Sequence, residues 1–448
     1  MVQLALLLLG VKAVKRHWLS LAVIGAGWGM LGLGIDAEAL EGIQAATMHW
    51  FGILLVIEGV VTLLTGVLSN TPGRLWIIKT IALIVPGLVV METPWRDVVL
   101  ISVVFGVALM LDGGVRIAST LLLRFPGWRV ALLGGGIEVV LAVLALTPWP
   151  VSYESTIPFC VGVALMLSGW TVLRSALLLR RLPPDAPITS LPLFERERGW
   201  YAPIPLVDTP PETAEHDGQE RLSVLVWTPL ASAADPVRRP LLDRYIAAVD
   251  RHGAVSTGHA ALELWPDLYI SHYRAQERDR SRLEFIRDLN AGAQNDVPGR
   301  FLPSYAEEAA EWCEATARVV FRRFNAEHLR AHWFVYRQDA TYNLTNRNCS
   351  VAVAVALDAA LEGVLGSAMM WPPLLRLVIH PDLHLATLLR KRARTMTWTP
   401  GLVLDYARAM RRVVEPPEMS WVGTLRRAVR HYRRIRRMHP AAQQTPAV

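Results

Sequence analysis

The chain has 448 residues, 52% of them hydrophobic, a formal net charge of +7 and a mean hydropathy of +0.30. That length predicts two or three domains, and the hydropathy argues against a wholly soluble chain. The three cysteines, Cys160, Cys313 and Cys349, exclude a disulfide framework and lack the spacing of a zinc site.

The charge is unevenly spread. Residues 1–182 carry 12 Lys and Arg against 9 Asp and Glu, residues 183–373 carry 19 against 26, and residues 374–448 carry 15 against 4. The first apolar run, Leu4–Gly10, is short and is followed by Lys12, Lys15 and Arg16. A cleavable signal has the reverse order, so none is expected.

Six stretches then approach bilayer length, about 20 residues each, near 18–35, 46–68, 75–91, 98–122, 129–147 and 156–178. The even-numbered ones repeat. Phe51-Gly-Ile-Leu-Leu-Val-Ile-Glu58-Gly59, Phe105-Gly-Val-Ala-Leu-Met-Leu-Asp112-Gly113 and Val161-Gly-Val-Ala-Leu-Met-Leu-Ser168-Gly169 share one pattern. This spacing predicts one helical hairpin used three times. Gly25, Gly29, Gly32 and Gly134 to Gly136 suit close helix packing.

Basic residues gather in alternate loops, with Lys12, Lys15, Arg16, Arg74, Arg124, Arg129, Arg180 and Arg181 on one side. Asp36, Glu38, Glu41, Glu92, Asp97 and Glu154 fall on the other. The positive-inside rule puts the N-terminus and everything after residue 182 in the cytoplasm. Glu58, Asp112 and Glu138 lie inside apolar stretches, as a proton relay or as polar contacts between helices, and Arg116 is one turn from Asp112. The repeated F/V-G-x-x-L-x-x-x-G hairpins resemble the HdeD family of bacterial acid-resistance membrane proteins over about residues 12–180. The resemblance implies a six-helix inner-membrane protein linked to stress.

Residues 183–220 contain eight prolines and read as an extended linker, because proline interrupts helices and central strands. A compact α+β domain is expected over 221–366. Arg221–Thr228 reads as a strand, Pro240–Arg251 as a helix, and 257–264 with 268–274 as a hairpin around Trp265-Pro266-Asp267. Ser304–Ala317 reads as a helix containing a structural Cys313, and 318–324 as a strand. Asn325 caps a helix running to about Gln338.

Asn348-Cys349-Ser350 then opens an Ala-rich helix. A cysteine there meets unsatisfied backbone N–H groups and the positive end of the helix dipole, both of which favour the nucleophilic thiolate. The plainer reading is a small buried cysteine capping a core helix. A cysteine nucleophile needs a base, and His259, on a strand upstream, is the candidate. His272 is expected to face His259 across the hairpin and orient it. Glu263 shares a strand face with His259 but lies about 13 Å along the strand at roughly 3.3 Å per residue. His328 and His332 sit four apart on one helix, without the carboxylate pattern of a metal site.

Gly258-His259 on one strand, a polar residue on the next and Asn348-Cys349-Ser350 at a helix start resemble permuted papain-like enzymes. That branch includes the lecithin:retinol acyltransferase family and related bacterial amidases. The resemblance covers 221–366 and implies a cysteine amidase or peptidase using Cys349, His259 and His272, with no metal or organic cofactor. A lipid acyltransferase or thioesterase, or a non-catalytic stress protein, is the alternative.

The tail, 367–448, includes the basic amphipathic stretch Trp421–Arg437. It suits an anionic lipid surface better than nucleic acid, because the chain is already held at a bilayer. Met370–His380 also reads as interfacial or as packed on the soluble domain. The expected partners are therefore the bilayer, anionic lipid, and a peptide, amide or acyl-lipid substrate.

Overall fold

The computed structural model describes residues 1–41, helical pieces within 52–88, and residues 98–124, 128–147, 153–183, 186–197, 220–227, 248–249, 255–256, 258–276, 287–367 and 370–416. Among the described residues, four helices are long and apolar enough to cross a membrane: Trp18–Glu41, Phe105–Leu123, Trp128–Leu146 and Pro158–Arg181. They belong to α2 (Trp18–Glu41), α3 (Val98–Leu123), α4 (Trp128–Leu146) and α5 (Tyr153–Arg181). The chain is a membrane protein with a C-terminal α/β region built on small antiparallel sheets. The expected segments at 46–68 and 75–91 fall mostly outside the described residues.

Glycine brings the membrane helices together. A Cβ on Gly32 would lie 2.5 Å from the Gly162 carbonyl oxygen, and one on Gly25 2.6 Å from the Leu173 nitrogen. The α2–α5 contact is therefore backbone on backbone, the close approach that small residues permit. Between α3 and α4, a Cβ on Gly113 would lie 2.9 Å from the Gly135 oxygen. In the same pair, Arg116 reaches Asp112 at 3.4 Å and crosses to Glu138 at 2.8 Å. Glu138 is thus paired across the two helices, and Asp112 with Arg116 of its own helix. A second compact unit contains Phe51–Glu92. Within it, Gly59 abuts Ile84, and Gly87 abuts Val56.

The α/β region holds a four-stranded antiparallel sheet of order β5-β4-β1-β8. Its strands are β1 (Arg221–Trp227), β4 (His259–Trp265), β5 (Leu268–Ile270) and β8 (Ala317–Phe321). β2 (Ala248–Val249) pairs with β3 (Val255–Ser256), so a strand stands at 248–249, where a helix was expected. A three-stranded sheet joins β6 (His272–Arg274), β7 (Val297–Phe301) and β9 (Thr341–Tyr342). The helices are α6 (Tyr305–Glu311), α7 (Ala326–Tyr336) and α8 (Cys349–Leu361). Their caps are local: Ser304 accepts from Glu307 N, Asn325 from His328 N and Asn348 from Val351 N. α6 ends at Glu311, so Cys313 stands beyond it and is exposed, not inside a helix.

The core reaches outside 221–366. Helix α1 (Val2–Lys15) buries Leu4 to Leu9 at 2% exposure or less. Gly363 N donates to Leu7 O at 2.9 Å and Leu365 N to Leu8 O at 2.8 Å. The start of the Pro-rich stretch is also packed, with Ile188, Leu191 and Phe194 fully buried in two 3-10 turns. Proline excludes a helix there but not a docked turn. Past residue 366, α9 (Trp371–Ile379), α10 (Pro381–Thr395) and α11 (Pro400–Val414) close the same core. Leu374, Leu377 and Ile379 are buried, so Met370–His380 packs on the domain. The basic stretch Trp421–Arg437 lies outside the described residues.

Candidate functional site

The two faces of the sheet have different contents. Ala260, Leu262 and Leu264 of β4 share the main core with α8. His259 and Ala261 alternate to the other face, where Leu225, Trp227, Tyr269 and Leu302 form a smaller cluster. His259 is the first residue of β4, opposite Trp227 in the register, and is 4% exposed.

A polar network holds its ring. Nε2 lies 2.9 Å from Ser271 Oγ and 3.2 Å from Glu308 Oε1. Glu308, on α6, is 1% exposed. It accepts hydrogen bonds from Tyr273 OH at 2.7 Å and from Tyr269 OH at 2.5 Å. Tyr273 stacks on the imidazole at 4.0 Å between ring centroids. With Tyr269 and Tyr273 both donating to Glu308, the arrangement favours the tautomer that carries its proton on Nε2 and donates it to the same carboxylate.

His272 is not part of this network. Across the hairpin Leu264 pairs with Leu268 and Leu262 with Ile270, so the pairing is offset by one residue from the one that would oppose His259 to His272. Ser271 and Tyr273 face His259, and His272 alternates to the opposite side, because a one-residue shift exchanges the faces of a strand. Its Nδ1 meets Tyr336 OH at 3.1 Å and its Nε2 the Ala340 carbonyl at 3.4 Å. Phe301 and Tyr342 surround it. The expected facing pair is thus replaced by His259 with Glu308 and Ser271. Glu263 stays apart from the ring, 3.7 Å from Arg318.

Cys349 is the first residue of α8 and is 7% exposed. Its Sγ lies 3.8 Å from Ser350 Oγ, and the backbone of Ala260, the residue after His259, hydrogen-bonds to it. Among the described residues no hydrogen bond joins it to the His259 ring, but it interacts with Glu308 and Tyr273, two of the groups that hold that ring.

Burial sets the resting protonation. It pushes the Cys349 thiol above its ordinary value, against the pull of the Ala260 and Ser350 hydrogen bonds, and Glu308 adds to the rise. The helix start alone predicts the opposite direction; desolvation of a fully enclosed thiol outweighs it. Burial, with His272 nearby, lowers His259 to about 3. Both shifts favour the neutral forms of thiol and imidazole.

Glu308, Ser271, Tyr269 and Tyr273 are the residues that sequence reading missed. The available signal was alternation, which puts Tyr269, Ser271 and Tyr273 on one side of the hairpin. Nothing local marks Glu308 among Glu307, Glu308 and Glu311. Among the described residues, no cluster of three or more His, Cys, Asp or Glu is placed to hold a metal. Comparison with protein-family models, curated proteins and solved structures found no match.

Proposed function

We propose that the chain is a membrane-anchored, cysteine-dependent amidase or peptidase. The observation that carries this reading is the contact of His259 Nε2 with Glu308 and Ser271, which leaves Nδ1 to take a proton, with Cys349 at the start of α8 hydrogen-bonded to the backbone of the next residue, Ala260. Cys349 gives its thiol proton to His259 Nδ1, and the thiolate attacks the carbonyl of a peptide, amide or acyl substrate. The tetrahedral oxyanion is held by backbone N–H groups at the start of α8. It collapses to a thioester as the leaving amine takes the proton back from Nδ1. Water, deprotonated by the same imidazole, releases the acid and restores the thiol. Glu308 fills the orienting role first given to His272 and stabilises the imidazolium formed on the way.

The wider setting belongs to the same proposal. The N-terminal half is an HdeD-like bundle of three hairpins and six spans in a bacterial inner membrane, and the thiol domain is a permuted papain-like fold on the cytoplasmic face. Burial of both α1, which precedes the first span, and the turns after α5 in one core supports an even number of crossings between them. Loop charge supports the cytoplasmic side. The membrane helices favour one second reading, the same chemistry on an acyl lipid, as an acyltransferase or thioesterase.

The test is capture of the acyl-enzyme. Full-length protein in detergent is treated with activated esters of a short peptide and of a fatty acid, and the intact mass is read. The expected result is one acyl group on Cys349, absent in Cys349→Ala and reduced in His259→Ala; preference for the fatty acyl ester selects the second reading. Acylation at the exposed Cys313 alone would leave Cys349 a core residue.

A further inference from the structure

We propose that Thr397, in the link between α10 and α11, is a positioning residue for Cys349. The inference rests on Cys349 as the nucleophile, and it adds to that site a residue from beyond 221–366.

Thr397 acts through the residue that caps α8. Thr397 is 8% exposed and Asn348 is 5% exposed. The Thr397 hydroxyl donates to the Thr345 carbonyl at 2.6 Å and accepts from Asn348 Nδ2 at 3.1 Å. The same nitrogen reaches the Leu344 carbonyl at 2.7 Å and the Trp398 carbonyl at 3.2 Å. These acceptors hold one end of the amide. Its oxygen is then turned to accept from Val351 N, at 2.8 Å. Threonine suits the place because one hydroxyl both donates and accepts.

The cap fixes the backbone around the sulfur. Cys349 and Ser350 lie between Asn348 and Val351, the two ends of the capping bond. The backbones of Ser350 and Ala260 hydrogen-bond to the Cys349 sulfur and favour its thiolate, against the burial that opposes it. If the Asn348 amide loses its hold, the Ser350 N–H turns from the sulfur. The N–H groups that hold the oxyanion move with it. The remainder of α8 is held separately, because Asp358 accepts from Arg390 and from Tyr406, both at 2.5 Å.

The test uses the full-length protein in detergent. Alkylation of Cys349 by iodoacetamide, which reads the thiolate, is followed by mass from about pH 6 to about pH 10. Acylation by the activated ester is followed beside it. Thr397→Val keeps the shape and removes both hydrogen bonds, whereas Thr397→Ser keeps the hydroxyl. Thr397→Val is expected to shift the alkylation profile to higher pH and to slow acylation about tenfold or more, since a displacement of about 1 Å can cost about 10²-fold. Thr397→Ser is expected to restore both. The titratable groups that act on Cys349, namely Glu308 of α6, Tyr273 of β6 and Tyr336 of α7, are the same in all variants. Tyr406→Phe is the control: it loosens α8 at Asp358, so the melting midpoint should fall while the profile stays in place. Either readout remaining at the parent's value in folded Thr397→Val overturns the proposal and leaves Cys349 as the nucleophile. An equal profile shift in Tyr406→Phe also overturns it, since the effect would then belong to α8 as a whole. A parent that takes no acyl group on Cys349 overturns the proposal and the thiol reading together. If Thr397→Val does not fold, Thr397→Ala is read in the same way.

Discussion

Leu7→Ala tests whether the N-terminal helix is a core element of the α/β region. Leu7 is 0% exposed, and its carbonyl accepts from Gly363 N at 2.9 Å. The substitution keeps that backbone bond and deletes three carbons from a packed interior. Buried Leu→Ala changes cost about 2–5 kcal/mol, the lost transfer energy plus the cavity term. The site should fall in the upper half of that range, because Gly363, held against Gly10 with φ values of +76° and +73°, leaves the neighbouring backbone little freedom to collapse. A domain of ordinary stability, about 5–15 kcal/mol, would lose a large share of it.

The assay is thermal unfolding of the full-length protein in detergent, followed by tryptophan emission, since Trp227 and Trp398 are buried in the α/β region. Leu19→Ala is the control. It removes the same atoms from a residue 60% exposed on the membrane helix α2, so the midpoint should barely move. Equal shifts for Leu7→Ala and Leu19→Ala would refute the reasoning, because they would mean that α1 behaves as lipid-facing apolar surface.

Two further outcomes follow from the buried carboxylates. Glu308→Gln keeps the shape but presents an NH2 where Tyr269, Tyr273 or His259 donates, so the imidazole loses its fixed tautomer. The acylation rate of Cys349 should fall by roughly 10³–10⁴-fold, measured as adduct formation against time, and a fall under about tenfold in a folded variant would remove Glu308 from the orienting role. Glu362 accepts from Ile188 N at 2.7 Å. Burial, with Asp358 beside it, raises its pKa from 4.5 to about 7 despite that hydrogen bond. The folded state then holds a proton that the unfolded chain releases, so this group's contribution is full below about pH 4.5 and is lost as pH climbs to about 7, on the order of 3 kcal/mol. Denaturant midpoints across that window should decline less in Glu362→Gln than in the parent.

The sequence by itself determined what depends on near neighbours. Long apolar runs mark α2 to α5 as membrane helices whatever they touch, since no other segment tolerates a bilayer. Ser304, Asn325 and Asn348 cap the helices they precede, because a cap is made within three residues. The Trp265-Pro266-Asp267 turn sets a hairpin, and Cys349 opens α8 as its sequence requires. Tertiary structure decided everything that depends on distant partners. A leucine run such as Leu4 to Leu9 reads alike as lipid-facing or core-facing, and only its fit against Gly363 and Leu365 makes it core. A shift of one residue in the β4–β5 pairing turns His272 away and Ser271 and Tyr273 toward His259, because strand faces alternate with a period of two. Glu308 becomes the imidazole's partner through the packing of α6 under the sheet. Asp36 of α2 is buried against α5, where Gly162, more than a hundred residues later, brings no side chain to that point.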